Sequence, residues 1–337
     1  MRIEDIIRIT DGLLQNFPSV DQVESIKTDS DKIQRGDLFL DIDNSLENQK
    51  IAVENGAFAV LSEDISNVSD EEIAWIEVDS LRLACVKLAR YEFSKKNGKI
   101  LFIDDISQEI IQKITKNLEF VKLFSNVFKT LIAIIASGEN MKFTCSDERL
   151  AFSLDPYCHK IDCRYSLEVF DKKSPFYTSF ICNDKFFHDI KIPNIFVNRL
   201  CSIMTYLEGN NIEFNVQKLQ FHRHFSPVFV NHGLRKKEFG QGEKVIIFES
   251  NKENLDLEID HLSNFSDNFI ICIPKIYKNY FLHHKNIFLL SSNDEIEDLA
   301  KKEYRYILIF GKKDNYEKIF KIKKEDNRSL FNAISAK

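Results

Sequence analysis

Over the first hundred residues short apolar runs alternate with helical stripes, and that alternation restricts the chain to an α/β layer with a largely parallel sheet. Glu4 to Gln15 carries Ile6, Ile7, Ile9, Leu13 and Leu14 at approximately helical spacing, closed by Asp11-Gly12 or by Pro18. Gly36-Asp37 precedes a short strand, Leu38-Phe39-Leu40. Gln49 to Asn55 suits a helix ended by Gly56, followed by a buried strand from Ala57 to Leu61. Ala74 to Val78 reads as a third strand and Ser80 to Phe93 as the helix after it.

The same alternation returns near the C-terminus. Glu243 to Phe248 reads as a strand and Glu253 to Leu262 as a helix. Strands at Phe269 to Ile273 and Ile287 to Leu290, a helix at Asp294 to Lys301 and a strand at Tyr306 to Phe310 complete the segment. With 337 residues the chain is too long for one ordinary core and suits two or three domains. Its 44% hydrophobic and 29% charged residues are those of a globular protein rather than a disordered one.

A net charge of -6 leaves no basic excess to neutralise phosphates, so a dedicated nucleic-acid partner is not expected. Met1-Arg2-Ile3-Glu4-Asp5 lacks the pattern of a signal peptide, and no apolar run approaches a membrane span. A cytoplasmic location without membrane insertion is therefore expected. The seven cysteines form no Cys-x-x-Cys pair and suit reduced thiols. Cys158-His159 with Cys163 matches no closed zinc spacing, so no metal is expected there.

One turn is informative for what it lacks. Ile100 to Ile103 reads as a buried strand and Ser107 to Lys116 as a helix, joined by Asp104-Asp105-Ile106. A strand-turn-helix that binds nucleotide phosphates needs glycines, so that backbone N–H groups can close on the anion, and a lysine to neutralise it. Two carboxylates stand here instead. Lys113 and Lys116 are read as helix-surface lysines.

An ordered set of motifs covers the first hundred residues. After Ile3 to Gly12, Thr28-Asp29-Ser30-Asp31-Lys32-Ile33-Gln34-Arg35-Gly36-Asp37-Leu38-Phe39-Leu40 matches an Asp-Ser-Arg, spacer, Gly-Asp-Leu-Phe signature. Asn55 to Val60 matches a Gly-Ala-x-Ala-Val element, and Ile76 to Tyr91 a Val-Asp-(Ser/Thr)-x-x-Ala stretch. In this set the chain resembles the Mur ligases, ATP-dependent enzymes of cell-wall synthesis, and most closely the MurF branch, which adds D-alanyl-D-alanine to the muramoyl tripeptide.

The resemblance implies a three-domain α/β architecture. Residues 1–98 would form the N-terminal domain of the UDP-precursor-binding type, 99–240 a reduced and degenerate central ATPase-like domain, and 241–337 a Rossmann-like C-terminal domain. Phe248 to Asn254 falls where the family has an Asp-x-Tyr-Asn-Ala-Asn-Pro turn. The resemblance further implies that Asp29 and Ser30, with Gly36 in the same loop, lie near the uridine diphosphate of a UDP-muramoyl precursor, with the Ser30 hydroxyl as a donor. Read from the residues alone, Asp29, Ser30 and Gly36 also suit a turn and cap set kept for folding, and both readings stand at this stage.

The chain departs from the family at several positions. The signature arginine is Asp31, the Asp-Gly-His segment has shrunk to Asn48-Gln49-Lys50, and the magnesium-holding glutamate and histidine and the carbamylated lysine have no clear counterpart. With Asp104-Asp105 in the phosphate turn, ATP and magnesium are expected not to bind and no catalytic residue is assigned. The expected function is that of an inactive Mur-ligase-like protein, a bacterial pseudoenzyme that binds or scaffolds in peptidoglycan synthesis, with a UDP-muramoyl precursor and other peptidoglycan-synthesis proteins as partners. An active, divergent MurF-type amide ligase and a purely structural interaction module are the alternatives. His222-Arg223-His224, with His232 and Arg235-Lys236-Lys237, is read as a solvated basic segment, or, on a strand, as two rings on one face that meet a metal or an anion.

Overall fold

Asp11 takes a left-handed backbone (φ 55°) and stops the first helix, α1 (Ile3–Thr10), earlier than its apolar stripe suggests. Leu13–Leu14 then forms strand β1, antiparallel to β5 (Ala74–Glu77) at the edge of a sheet. The local turn signal thus overrides the helical spacing of Leu13 and Leu14. The computed structural model describes residues 1–116, 119–170, 174–221, 223–281 and 286–320. They fall into two units, Met1–Cys163 with Tyr206–Phe214, and Arg164–Thr205 with Asn215–Lys337. Neither expected boundary, 98 or 240, coincides with a division between these units.

In the first unit the chain continues through β2 (Ile26–Lys27), β3 (Leu38–Leu40), α2 (Leu46–Glu54), β4 (Ala59–Ser62) and β5 to α3 (Leu81–Lys95). The sheet order is β1-β5-β4-β3-β2, parallel from β2 to β5 as the alternation requires. A second sheet, ordered β7-β8-β6-β9, follows. It is built from β6 (Lys99–Phe102), α4 (Asp105–Ile114), β7 (Phe120–Lys122), α5 (Val127–Ala136), β8 (Lys142–Cys145), α6 (Glu148–Leu154) and β9 (His159–Lys160).

The two sheets of this unit share one core. A single apolar cluster runs from Ile3 and Leu38 through Leu88 and Phe93 to Phe143 and Leu154, and α3 packs against α5 and α6. Ser94 to Gly98 is the end of α3 and the turn into β6. Phe93 meets Phe143 edge to face at 5.4 Å, and a Cβ on Gly98 would lie 2.6 Å from the Phe143 ring, so only glycine fits. Lys96 Nζ donates to the carbonyls of Ile135 and Ser137 at the C-terminal end of α5. The packing of the first 96 residues thus continues without a break into the elements that follow.

The second unit begins with a three-stranded antiparallel sheet of β10 (Leu167–Val169), β11 (Thr178–Cys182) and β12 (Lys185–Ile190). Helix α7 (Val197–Gly209) follows, its residues from Tyr206 on belonging to the first unit. The rest is β13 (Ser226–Val230), β14 (Lys244–Glu249), α8 (Lys252–Ser263), β15 (Phe269–Pro274), β16 (Ile287–Leu290), α9 (Glu295–Lys301) and β17 (Tyr306–Phe310). These strands form a sheet ordered β13-β14-β17-β15-β16. It is parallel except for β13, which lies antiparallel on β14. Each strand and helix read from the C-terminal alternation occurs here within two residues of its expected ends.

Candidate functional site

Asp37 organises the loop that carries the candidate residues. Only 3% exposed, its carboxylate receives Lys27 Nζ at 2.7 Å, the Gln34 N–H at 2.8 Å and the Ser25 hydroxyl. Burial alone would raise its pKa, but these donors outweigh burial and hold it below the ordinary aspartate value. Lys27 also donates to the Lys32 carbonyl at 2.9 Å. The sequence marked Gly36-Asp37 as a motif without revealing that Asp37 is the hub; its burial next to β3 is a tertiary fact.

Asp29 caps the short 3-10 turn Ser30–Lys32, accepting from the Asp31 N–H at 3.2 Å. It also pairs with Lys32 Nζ at 2.7 Å, which keeps its carboxyl below the usual range. Ser30 is buried, and its carbonyl accepts from Asn55 Nδ2 at 3.0 Å. Gly36 has φ 98°, which admits glycine without strain, and joins the turn through its N–H to the Gly56 carbonyl at 3.1 Å.

Beside this loop lies an open cleft of about 840 Å³. One wall is residues 25–29 and 31–34; the other is the apolar face of α5, at Ile132, Ile135 and Ala136. Lys27, Lys32, Asp29 and Asp31 all line it, so its charged side chains cancel. Of the three candidate residues, Asp29 lines the cleft, whereas Ser30 and Gly36 are not among its lining residues. An apolar wall facing a polar loop, at this volume, is the form of a small-molecule site.

The turn after β6 has its own occupant. Asp104 is the N-cap of α4, and its carboxylate accepts from the Ser107 N–H at 2.9 Å and the Ser107 hydroxyl at 3.2 Å. A helix N-terminus binds an anion through its unpaired N–H groups. Here an intrinsic carboxylate takes that position. The cap also explains why α4 starts at Asp105 rather than at Ser107 as expected.

No protein-family model and no curated protein matches the sequence. Its fold does have likenesses. A crystal structure of MurF from Acinetobacter baumannii superposes with a TM-score of 0.64 at 10% identity, covering 94% of this chain and 97% of that one. MurF ligase from Thermotoga maritima, solved in complex with ADP, superposes with a TM-score of 0.61 at 14% identity, covering 88% and 97%. The chain has a Mur-ligase fold.

Within this Mur-ligase fold, the shortened segment Asn48-Gln49-Lys50 lies inside α2 rather than between strand and helix. Gln49 is buried there and donates to Asp41 at 2.8 Å, closing a polar network with Ser62. Lys113 pairs with Glu109 at 2.7 Å and Lys116 with Glu213. Burial pushes the Cys85 thiol up to about 12 and Cys145 up to about 11, which disfavours thiolate chemistry at either position. Among the described residues no cluster of His, Cys, Asp and Glu is arranged to hold a metal ion, and no helix is long and apolar enough to cross a membrane.

In the basic segment of the second unit Arg223, His232, Arg235, Lys236 and Lys237 are exposed, as read, but His224 is not. His222 lies outside the described residues. His224 is 3% exposed, and its Nδ1 lies 2.8 and 2.9 Å from the two oxygens of Glu249, which is fully buried at the end of β14. The carboxylate missing from the neighbouring sequence is supplied in space, 25 residues away. Glu249 also accepts from the Asn251 N–H at 2.5 Å, and the Asn251 side chain caps α8. The polar turn noted between Phe248 and Asn254 is thus a strand-to-helix junction, as its place in the Mur-ligase pattern implied.

Proposed function

We propose that this chain is a Mur-ligase-fold protein that binds a UDP-muramoyl precursor, or scaffolds other peptidoglycan-synthesis proteins, without performing the ATP-driven amide synthesis of the enzymes it resembles. The observation that carries this reading is Asp104. Its carboxylate uses the N–H that a phosphate would need, and it sets a negative charge against a polyanion where like charges repel strongly. The Thermotoga maritima MurF was solved with ADP, whereas ATP with magnesium is not expected to bind to this chain. The precursor is assigned to the cleft lined by Asp29, Lys27 and α5, where an apolar wall faces a polar loop.

The test is calorimetry on the purified chain with a UDP-muramoyl tripeptide, beside a thermal melt with ATP and magnesium. Precursor binding with no nucleotide-dependent rise in melting temperature supports the reading. ATP-dependent amide formation would establish an active ligase instead, and saturating precursor without heat would leave a structural module. Asp31→Arg changes the cleft by two charges beside the diphosphate and should tighten precursor binding by about threefold to tenfold, less at high salt.

A further inference from the structure

Glu258 of α8 is fully buried, and neither of its side-chain oxygens finds a donor among the described residues. Its helix packs on β14, whose last residue is the equally buried Glu249, and the two carboxyls are electrostatically coupled. Two ionised carboxylates have no proton to share, and burying a second unpaired charge is prohibitive. One arrangement satisfies both groups, with Glu258 protonated and donating to the ionised Glu249. We propose that Glu258 is a proton-operated latch on the strand-to-helix turn after β14, closed while its carboxyl holds a proton and loosened when it ionises.

The other groups facing the pair fit this assignment. From the segment before β13, Arg223 Nε donates to His224 Nε2 at 3.3 Å, which leaves the ring proton on Nδ1 for Glu249. From α8, Asn254 Nδ2 lies 3.4 Å from the same imidazole nitrogen, and the Asn251 N–H closes on Glu249. His261, on the same helix, is engaged with the Pro175 carbonyl at 2.9 Å. Glu249 therefore receives donors from His224, Asn251 and Glu258, which together outweigh its burial and hold its pKa below the ordinary value. Burial, then the neighbouring Glu249, push Glu258 well above the ordinary value.

The direction of the pH effect follows. Because Glu258 keeps its proton in the folded state at a pH where the unfolded chain has lost it, stability declines as pH rises above the unfolded carboxyl pKa, until the folded value is reached. Glu258→Gln retains a donor of nearly the same shape and cannot ionise. The experiment is a thermal melt of the full chain, wild type and Glu258→Gln, from pH 6 to pH 9. The variant's advantage should grow by about 3 °C or more toward the alkaline end. The wild-type Glu258 Cδ, followed by carbon NMR, should titrate with a midpoint well above that of an exposed glutamate. An advantage independent of pH, or an ordinary glutamate midpoint, overturns the proposal.

Discussion

His224→Ala is expected to destabilise the second unit by about 3 to 5 kcal/mol, the range for stripping the partner from a buried charge. Glu249 is fully buried, and the two contacts from Nδ1 are among the few donors that reach it. Removing the imidazole leaves the Asn251 N–H and Glu258, and opens a cavity beside Asn254. The loss should itself depend on pH. In the wild type the depressed Glu249 pKa contributes stability above the unfolded carboxyl value, lost as pH falls through the folded one. Without His224, burial raises the folded pKa, so the sign inverts and the deficit widens as pH rises. Chemical denaturation followed at pH 5 and pH 8 reads both effects. A loss under about 1 kcal/mol at pH 8 would show that Glu249 is compensated by other groups.

The network also shows where sequence patterns stop being informative. The alternation of Val245 to Phe248, Phe269 to Ile273 and Tyr306 to Phe310 was legible because parallel strands buried on both faces read as continuous apolar runs. Gly36-Asp37 and the strand after it were legible as a motif, and Asp104 as a residue unsuited to phosphate. What escaped were contacts between distant residues. Nothing in His222-Arg223-His224 announces a glutamate 25 positions on, and β7 with β8 are too short, and too mixed in polarity, to stand out before α5 covers them. The cleft was half legible: its loop carries the signature, but its apolar wall is α5, about a hundred residues later.

A fragment ending at Lys96 is expected not to fold, whereas one ending at Cys163 should unfold cooperatively. The shorter fragment contains every strand of the first sheet, and by pattern alone it is a complete α/β layer. Its last helix is the difficulty. α3 packs against α1 on one side and against α5 and α6 on another, and Phe93 packs on Phe143 of β8. Cutting after Lys96 exposes that second face and removes Leu123, Leu131, Ile134, Phe143 and Leu150 from the shared cluster. Each large apolar side chain returned to water costs about 1.5 to 3 kcal/mol, and a whole domain holds only about 5 to 15 kcal/mol. Three such exposures cost about 4.5 to 9 kcal/mol, as much as the whole margin at the lower end of that range. The carbonyls of Ile135 and Ser137, which now hold Lys96, would be absent as well. Circular dichroism through a thermal ramp distinguishes the cases: a sigmoidal transition for residues 1–163 and a featureless slope for 1–96. A sharp transition in the shorter fragment would mean that the first sheet is stable on its own and that the second merely leans on it.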